Sequence, residues 1–330
     1  MRQQQKSPGS SSLIFHELKI AARWTCNALC AHCAVNAGPG RREALGRDQV
    51  LSCIEEAAAL GMETIELTGG EPLLRPGDVL AFTSQAHACG LGVRLDTNAF
   101  WAWTPDLARR RLAELQQHGL TSVIFSTDRF HQVFIPLARV VNALEACGEL
   151  GIPAAVMVCY LEDDPSLLET VAVLHEHTAR IHAQAVAPYG RAAGLLHERL
   201  VRCPFSRAAT PCSGAAPTIA PDGRVTLCCA PPMYLPVEIA RISPLVLGWL
   251  DQEPLARIVR RAQEDPFLQL LVTRGLGAVL ARLEELQPGL FQPRPEGYFG
   301  SCDLCVQVLG SEALLSRIAP LLPSVQGELS

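Results

Sequence analysis

The sequence predicts an α/β fold, a partial (β/α)6 barrel followed by a smaller, cysteine-rich, mostly helical C-terminal domain. Three observations predict it. From about residue 13 to 187, short apolar runs of β type alternate with longer amphipathic runs of helical period. Gly61, Gly90, Gly119 and Gly151 each follow a helical run, where a left-handed cap favours glycine. After Tyr189 the alternation stops, and the chain becomes rich in Pro, Gly and Cys.

Taken in order, strands are expected over residues 13–20, 64–68, 92–96, 122–126, 154–158 and 181–186. Helices are expected over 47–60, 77–88, 105–118, 137–150 and 166–177. Such alternation implies a parallel sheet with right-handed crossovers. Six units fall short of the eight that close a full barrel, so the sheet is expected to stay open, with ligands at the C-terminal strand ends. Downstream, the run APTIAPDGRVTLCC reads as a hairpin turned at Pro221-Asp222-Gly223. A mostly helical segment over 243–288, a Pro/Gly loop over 288–300 and a last amphipathic helix near 311–322 complete the chain. The expected division is a flexible tail (1–12), a core domain (13–195) and a C-terminal domain (196–330).

With 48% hydrophobic and 18% charged residues in a chain of 330, the composition supports a sizeable core. A net charge of −5 and the lack of a long Lys/Arg run argue against nucleic-acid binding through bulk charge. The opening MRQQQKSPGSSS has no apolar centre of the signal-peptide kind. No run of about 18 apolar residues is available to span a membrane. Thirteen cysteines without a secretory signal point to a reducing, cytoplasmic setting, in which thiols bind metal rather than form disulfides.

The first cysteine set is Cys26, Cys30 and Cys33, spaced C-x3-C-x2-C on a loop after the first strand. Three thiolates are one too few for a closed tetrahedral site, and a four-iron cluster held this way leaves one iron open. With His32 as a fourth ligand, the same loop also fits zinc. LTGGEP follows the second strand: Gly69 and Gly70 permit close backbone approach, and Glu71 adds a carboxylate suited to an ammonium group. Asp96-Thr97-Asn98 and Ser126-Thr127-Asp128 end the third and fourth strands, and Pro188-Tyr189-Gly190-Arg191-Ala192 follows the sixth. Polar residues there serve either as ligand contacts or as ordinary caps.

The second set is Cys212 and Cys228 at the base of the hairpin, with the C-x2-C pair Cys302 and Cys305. Four thiolates close a site for either a [4Fe–4S] cluster or zinc. Cys229 must point to the opposite face of the strand from Cys228. It is either a small buried apolar residue or a thiol facing the cavity that gives up a hydrogen atom. Cys159, ending the fifth strand, is its rival, and Cys203 competes with Cys212 as a ligand. Cys53, Cys89 and Cys147 lie on or beside helices as core filler. His131 is either a rim contact or a loop histidine. Trp24, Trp101 and Trp103 flank strand ends, where they stack on a substrate or cover the barrel mouth.

With Cys26, Cys30, Cys33 and Gly69-Gly70-Glu71-Pro72 in this order on a six-unit α/β pattern, the chain resembles the radical S-adenosylmethionine (radical SAM) superfamily. The resemblance implies a TIM-like partial barrel. Its three cysteines would hold a [4Fe–4S] cluster whose open iron is chelated by SAM, with Gly69, Gly70, Glu71 and Pro72 at the SAM amino group. His32 would lie near the adenine, Asn98, Ser126 and Asp128 near ribose or carboxylate, and Arg191 near the SAM carboxylate or the substrate. Reductive cleavage of SAM would give a 5′-deoxyadenosyl radical that abstracts a substrate hydrogen.

The second set resembles auxiliary-cluster domains of the SPASM and shorter Twitch type, which implies one further [4Fe–4S] cluster on Cys212, Cys228, Cys302 and Cys305. The adjacent Cys228-Cys229 resembles peptide-epimerising members and implies that Cys229 is a catalytic hydrogen-atom donor. The implied reaction is epimerisation of an unactivated carbon in a peptide or glycoside natural product. A flavodoxin- or ferredoxin-type reductant is the implied partner, with no nucleic acid and no membrane. Two alternatives stay open: oxidation or cross-linking of a peptide with the auxiliary cluster as electron acceptor, and a non-catalytic zinc or iron–sulfur binding module.

Overall fold

Nine strands join in one sheet in the computed structural model, which describes residues 13–322 except 179, 213 and 230. The expected tail over 1–12 lies outside the described residues. The barrel strands are β1 (Glu17–Ala21), β2 (Thr64–Thr68), β3 (Gly92–Thr97), β4 (Ser122–Ser126), β5 (Ala154–Tyr160) and β6 (Ile181–Ala185). Between them run α1 (Arg47–Ala59), α2 (Pro76–Ala88), α3 (Pro105–Gln117), α4 (Leu137–Leu150) and α5 (Pro165–His175). Each strand pairs in parallel with the next, so the six units form the partial barrel that the alternation predicts. β1 begins later than expected because its ladder with β2 begins at Glu17↔Thr64.

The helices bury the stripe that their period dictates. In α4, Val140, Ala143, Leu144 and Cys147 recur at i, i+3, i+4 and i+7 and face the core. Caps set the boundaries: Thr104 accepts a bond from Leu107 N at the start of α3, and Gly151, at φ 66°, ends α4 in the left-handed region.

Beyond β6 come the short helices α6 (Ala192–Leu195) and α7 (Phe205–Ala208), then β7 (Ala215–Ile219) and β8 (Arg224–Cys228). β7 and β8 form the expected antiparallel hairpin, with Gly223 at φ 82° in its turn. β7 also lies parallel to β1, giving the order β6-β5-β4-β3-β2-β1-β7-β8-β9. The sheet therefore runs unbroken past the expected boundary at residue 195.

After α8 (Val237–Ala240), the segment expected to be mostly helical opens with a strand, β9 (Val246–Trp249), antiparallel to β8. Its four residues carry no periodic signal of their own, and pairing makes them a strand. Then follow α9 (Leu255–Glu264), α10 (Pro266–Arg274), α11 (Leu276–Leu286), α12 (Ser301–Leu309) and α13 (Glu312–Ile318). α9 closes against α1, where Ala256 N donates to Glu56 Oε2 at 2.7 Å. Among the described residues, no helix is long and apolar enough to cross a membrane.

Candidate functional site

The loop after β1 carries Cys26, Cys30 and Cys33 and is gripped from two sides. Gly70 N donates to Arg23 O at 2.8 Å and Glu71 N to Thr25 O at 2.9 Å, which ties the segment after β2 to the loop. A Cβ on Gly70 would stand 2.1 Å from Thr25 O, so the glycine is required by this backbone approach. On the other side, Arg191 Nε donates to Cys30 O at 2.9 Å and Arg191 N to Cys33 O at 3.2 Å.

These segments enclose a cavity of about 280 Å³ at the C-terminal ends of the strands. All three cysteines line it, together with His32, Gly69 and Gly70. Asn98, Ser126, Asp128 and Arg191 complete the set of expected residues on its wall. Glu71 and Pro72 stand behind that wall. The Glu71 carboxylate is fully buried and accepts bonds from Leu73 N (3.0 Å), Thr97 Oγ1 (2.9 Å) and Asn98 N (2.9 Å). Burial pushes its pKa up to about 7 against the pull of these donors. Pro72 opens a buried single turn, Pro72–Leu74. What the 69–72 segment presents to the cavity is its glycine edge.

Asn98 links the wall to the loop, with Nδ2 3.0 Å from Asn27 Oδ1 and 3.9 Å from Cys26 Sγ. Asp128 accepts from the N–H groups of Phe130, His131 and Cys159. Its Oδ2 lies 3.0 Å from His131 Nδ1 and 3.4 Å from His32 Nε2. Burial alone would raise the Asp128 carboxyl, but His131 and His32 outweigh it and hold the pKa down to about 2. His32 stacks on Phe130 with ring centroids 4.7 Å apart, and burial pushes its pKa down to about 4.

Burial raises Cys26 to about 11 and Cys30 to about 12. Such thiols stay protonated alone and ionise only against a cationic centre, as thiolate ligands of a metal do. With Cys33 they make three cysteines on one wall, which, with Ala28 N donating to Cys26 Sγ at 3.5 Å, fit a cluster with an open position. The ligand atoms of Cys30, His32 and His131 lie within 4.8 Å of one another, so a zinc ion here would draw on His131 as well.

A second cavity, about 40 Å³, brings together Cys212, Cys228, Cys302 and Cys305 between the apolar walls of Leu227, Leu271 and Leu276. Cys302 and Cys305 lie three apart on α12 and so share a face. Burial, reinforced by neighbouring thiols, raises each to about 12. Cys203 pairs instead through its backbone with Tyr298, at 2.7 and 2.9 Å, and packs against the main core.

Cys229 turns away from this second cavity. Its thiol packs against the cluster of Ala21, Trp24, Ala220 and Met233 and lies in the field of Lys19, Glu66 and Asp96, and burial raises its pKa. Cys159 lines the larger cavity directly. Trp24 is buried beside Ala21 and Met233, and Trp101 Nε1 donates to Thr97 Oγ1 at 3.1 Å. Trp103 is 65% exposed, with the Arg139 guanidinium 3.4 Å from its ring centre.

Lumen residues that sequence reasoning passed over are Lys19 and Glu66, while Asp96 was read only as a polar residue at a strand end. A signal for them existed. Charged residues at Glu17, Lys19, Glu66, Arg94 and Asp96 alternate with Leu18, Ile20, Ile65, Leu67, Val93 and Leu95, all buried. That alternation puts charge on the inward face of the barrel.

Residues 25–174 match the profile of the Radical SAM superfamily. Over this segment the chain is similar to radical SAM domains. The family implies SAM and a [4Fe–4S] cluster, which the three-cysteine wall of the larger cavity fits. Among curated relatives, GTP 3′,8-cyclase of Stenotrophomonas maltophilia (strain R551-3) is 32% identical over 164 residues, 46% of this chain and 48% of the cyclase. Mycofactocin maturase MftC of Mycobacterium tuberculosis (strain ATCC 25618 / H37Rv) is 25% identical over 174 residues, 51% of this chain and 44% of MftC. The chain thus matches about half the length of these relatives.

Two solved structures share the fold beyond the radical SAM domain. Streptococcus suis SuiB bound to its precursor peptide SuiA superposes with a TM-score of 0.59 at 13% identity, covering 88% of this chain and 76% of SuiB. Native anSMEcpe with bound AdoMet and Kp18Cys peptide gives 0.55 at 12% identity, covering 94% of this chain and 98% of anSMEcpe.

Proposed function

We propose that the chain is a radical SAM enzyme that epimerises an unactivated carbon of a peptide, with Cys229 as hydrogen-atom donor. The observation that carries this reading is the placing of two cysteine sets on separate cavities, with Cys229 outside the lining of the second and in the field of the barrel charges Lys19, Glu66 and Asp96. In this reading residues 13–195 hold SAM and substrate, and residues 196–330 supply the donor and an auxiliary [4Fe–4S] cluster. The setting is cytoplasmic, with a flavodoxin- or ferredoxin-type reductant. SuiB and anSMEcpe, whose structures hold peptides, support a peptide substrate by likeness of fold.

When bound, the cluster and SAM would supply a 5′-deoxyadenosyl radical able to take a substrate hydrogen. The chain's own residues do the rest. Cys26, Cys30 and Cys33 would hold the cluster, and Arg191 and the glycine edge keep their loop in place. Asp128 holds His131 and His32 against the cavity wall. Cys229 would give its S–H hydrogen to the substrate carbon radical from the β8 side, which forms a C–H bond and leaves a sulfur radical.

A second reading is peptide oxidation or cross-linking, with the auxiliary site taking an electron from the substrate radical. Its support is the electrostatic influence of Cys229 on Cys302, which links the donor candidate to the second cysteine set.

The reaction run in heavy water separates the two. Epimerisation places one deuterium at the inverted carbon, because an S–H exchanges with solvent, and Cys229→Ala abolishes it. Deuterium incorporation that persists in Cys229→Ala but is lost in Cys159→Ala moves the donor to Cys159. Product two hydrogens lighter with no deuterium favours oxidation. Anaerobic reconstitution should give about eight irons per chain, two four-iron clusters; zinc in their place sinks the enzyme reading.

A further inference from the structure

The proposed reaction leaves a set of charges inside the barrel without a task. Lys19 and Glu66 lie opposite each other on β1 and β2, and Glu66 lies opposite Arg94 on β3. Lys19 Nζ stands 3.1 Å from Glu66 and 3.6 Å from Glu17, while Arg94 meets Glu17 at 2.6 Å and also contacts Glu66. Two cations are thus matched to two carboxylates. Asp96 is the third carboxylate of the group. It lines the larger cavity and shares a side-chain hydrogen bond with Glu66, while its Oδ1 is buried with no hydrogen-bond partner. Gln184 and Met157 line the same cavity from β6 and β5, and the charge of Asp96 is felt at the Cys229 thiol.

A buried carboxylate with no counter-charge is strongly disfavoured. With the cavity empty, burial and Glu66 keep a proton on Asp96, and Lys19 and Arg94 do not offset them. A bound cation can replace that proton. A dense divalent ion would meet Lys19 and Arg94 with only one unmatched carboxylate to hold it. A hydroxyl would leave the charge uncancelled. An ammonium group on an apolar stem brings one charge and three donors, which suits a single carboxylate with an orphan oxygen.

We infer that Asp96 anchors a primary ammonium group of the substrate inside the barrel. This deepens the proposed function and rests on its reading of the larger cavity as the SAM and substrate site. The class of substrate narrows to one that carries a free amine, such as a lysine-like side chain or an amino sugar.

The test is equilibrium dialysis of the anaerobically reconstituted chain, with SAM, against labelled n-butylamine, n-butanol and butyrate. Butylamine should bind at least tenfold more tightly than butanol, and butyrate more weakly than either. In Asp96→Asn the butylamine affinity should fall to within twofold of butanol, while Asp106→Asn, on the exposed face of α3, keeps the full preference. Should Asp96→Asn fail to fold, selectivity in the unmodified protein still decides: butanol or butyrate bound as tightly as butylamine overturns the inference. Failure to bind SAM would instead sink the reading of the cavity. SAM binding without amine preference removes only the ammonium anchor.

Discussion

Gly70 shows how little room the cluster loop leaves. An added Cβ would meet a backbone oxygen, Thr25 O, at 2.1 Å, and neither partner can rotate away. Gly70→Ala must therefore push the segment off the loop and break the bonds to Arg23 O and Thr25 O. Two lost buried bonds cost on the order of 2 kcal/mol together. The expected outcome is a fall in urea midpoint and loss of about four of the bound irons, read by iron analysis after reconstitution. Gly40→Ala is the matched control in the same region, because its Cβ would meet nothing within 4 Å, and it should leave both readouts unchanged. The glycines were legible in sequence as a place of close approach, but what approaches was not. The residues in contact are backbone of the chain itself, and Glu71 is spent holding Thr97 and Asn98. No spacing rule separates a carboxylate facing a ligand from one facing its own backbone.

At the scale of elements, the segment after β8 depends on one buried arginine. Arg224 Nη1 donates to Pro232 O at 2.9 Å and Leu235 O at 2.8 Å, and Nη2 lies 3.3 Å from Asp222. Its guanidinium also sits 4.9 Å from the Trp249 ring centre on β9. The arginine thus pins the turn that follows Cys228 and Cys229 to the hairpin that carries them. Arg224→Met keeps the apolar stem but leaves two buried carbonyls without donors, at about 1–3 kcal/mol each. Urea unfolding should show a loss of about 2–4 kcal/mol, and Arg224→Lys should recover only part of it, because an ammonium lacks the planar fork. Thiol alkylation of the apoprotein should also quicken at Cys228 and Cys229 in Arg224→Met. Unchanged alkylation would mean that the turn does not depend on this residue. Elements with a clean period, such as α4 and β4, were readable to the residue, since their burial repeats locally. β9 was not, because four residues that include Gly248 become a strand only against β8.

Across the whole molecule, the sheet joins residues nearly two hundred positions apart. β1 lies between β2 and β7, with Lys19↔Thr218 and Ile20↔Ile219 on its second side. A parallel pairing over that distance leaves no local trace, which is why the sequence suggests two domains where the strands form one sheet. The pairing has a physical consequence for any attempt to isolate the barrel. A chain ending at residue 195 would expose the N–H and C=O groups along one edge of β1, between the apolar side chains Leu18 and Ile20. It would also uncover the face of α1 that α9 covers, including Glu56, whose carboxylate binds Ala256 N. An exposed central edge flanked by apolar residues invites pairing with another copy. Residues 13–195 expressed alone should therefore elute from size exclusion as oligomers or aggregate, whereas the full chain does not associate through this edge. Lys or Pro placed at position 20 of the fragment would not restore a monomer without also disturbing β2, since Ile20 pairs with Leu67 there. A fragment that runs as a stable monomer with native strand content by circular dichroism would show that β7 decorates the barrel edge and does not complete it.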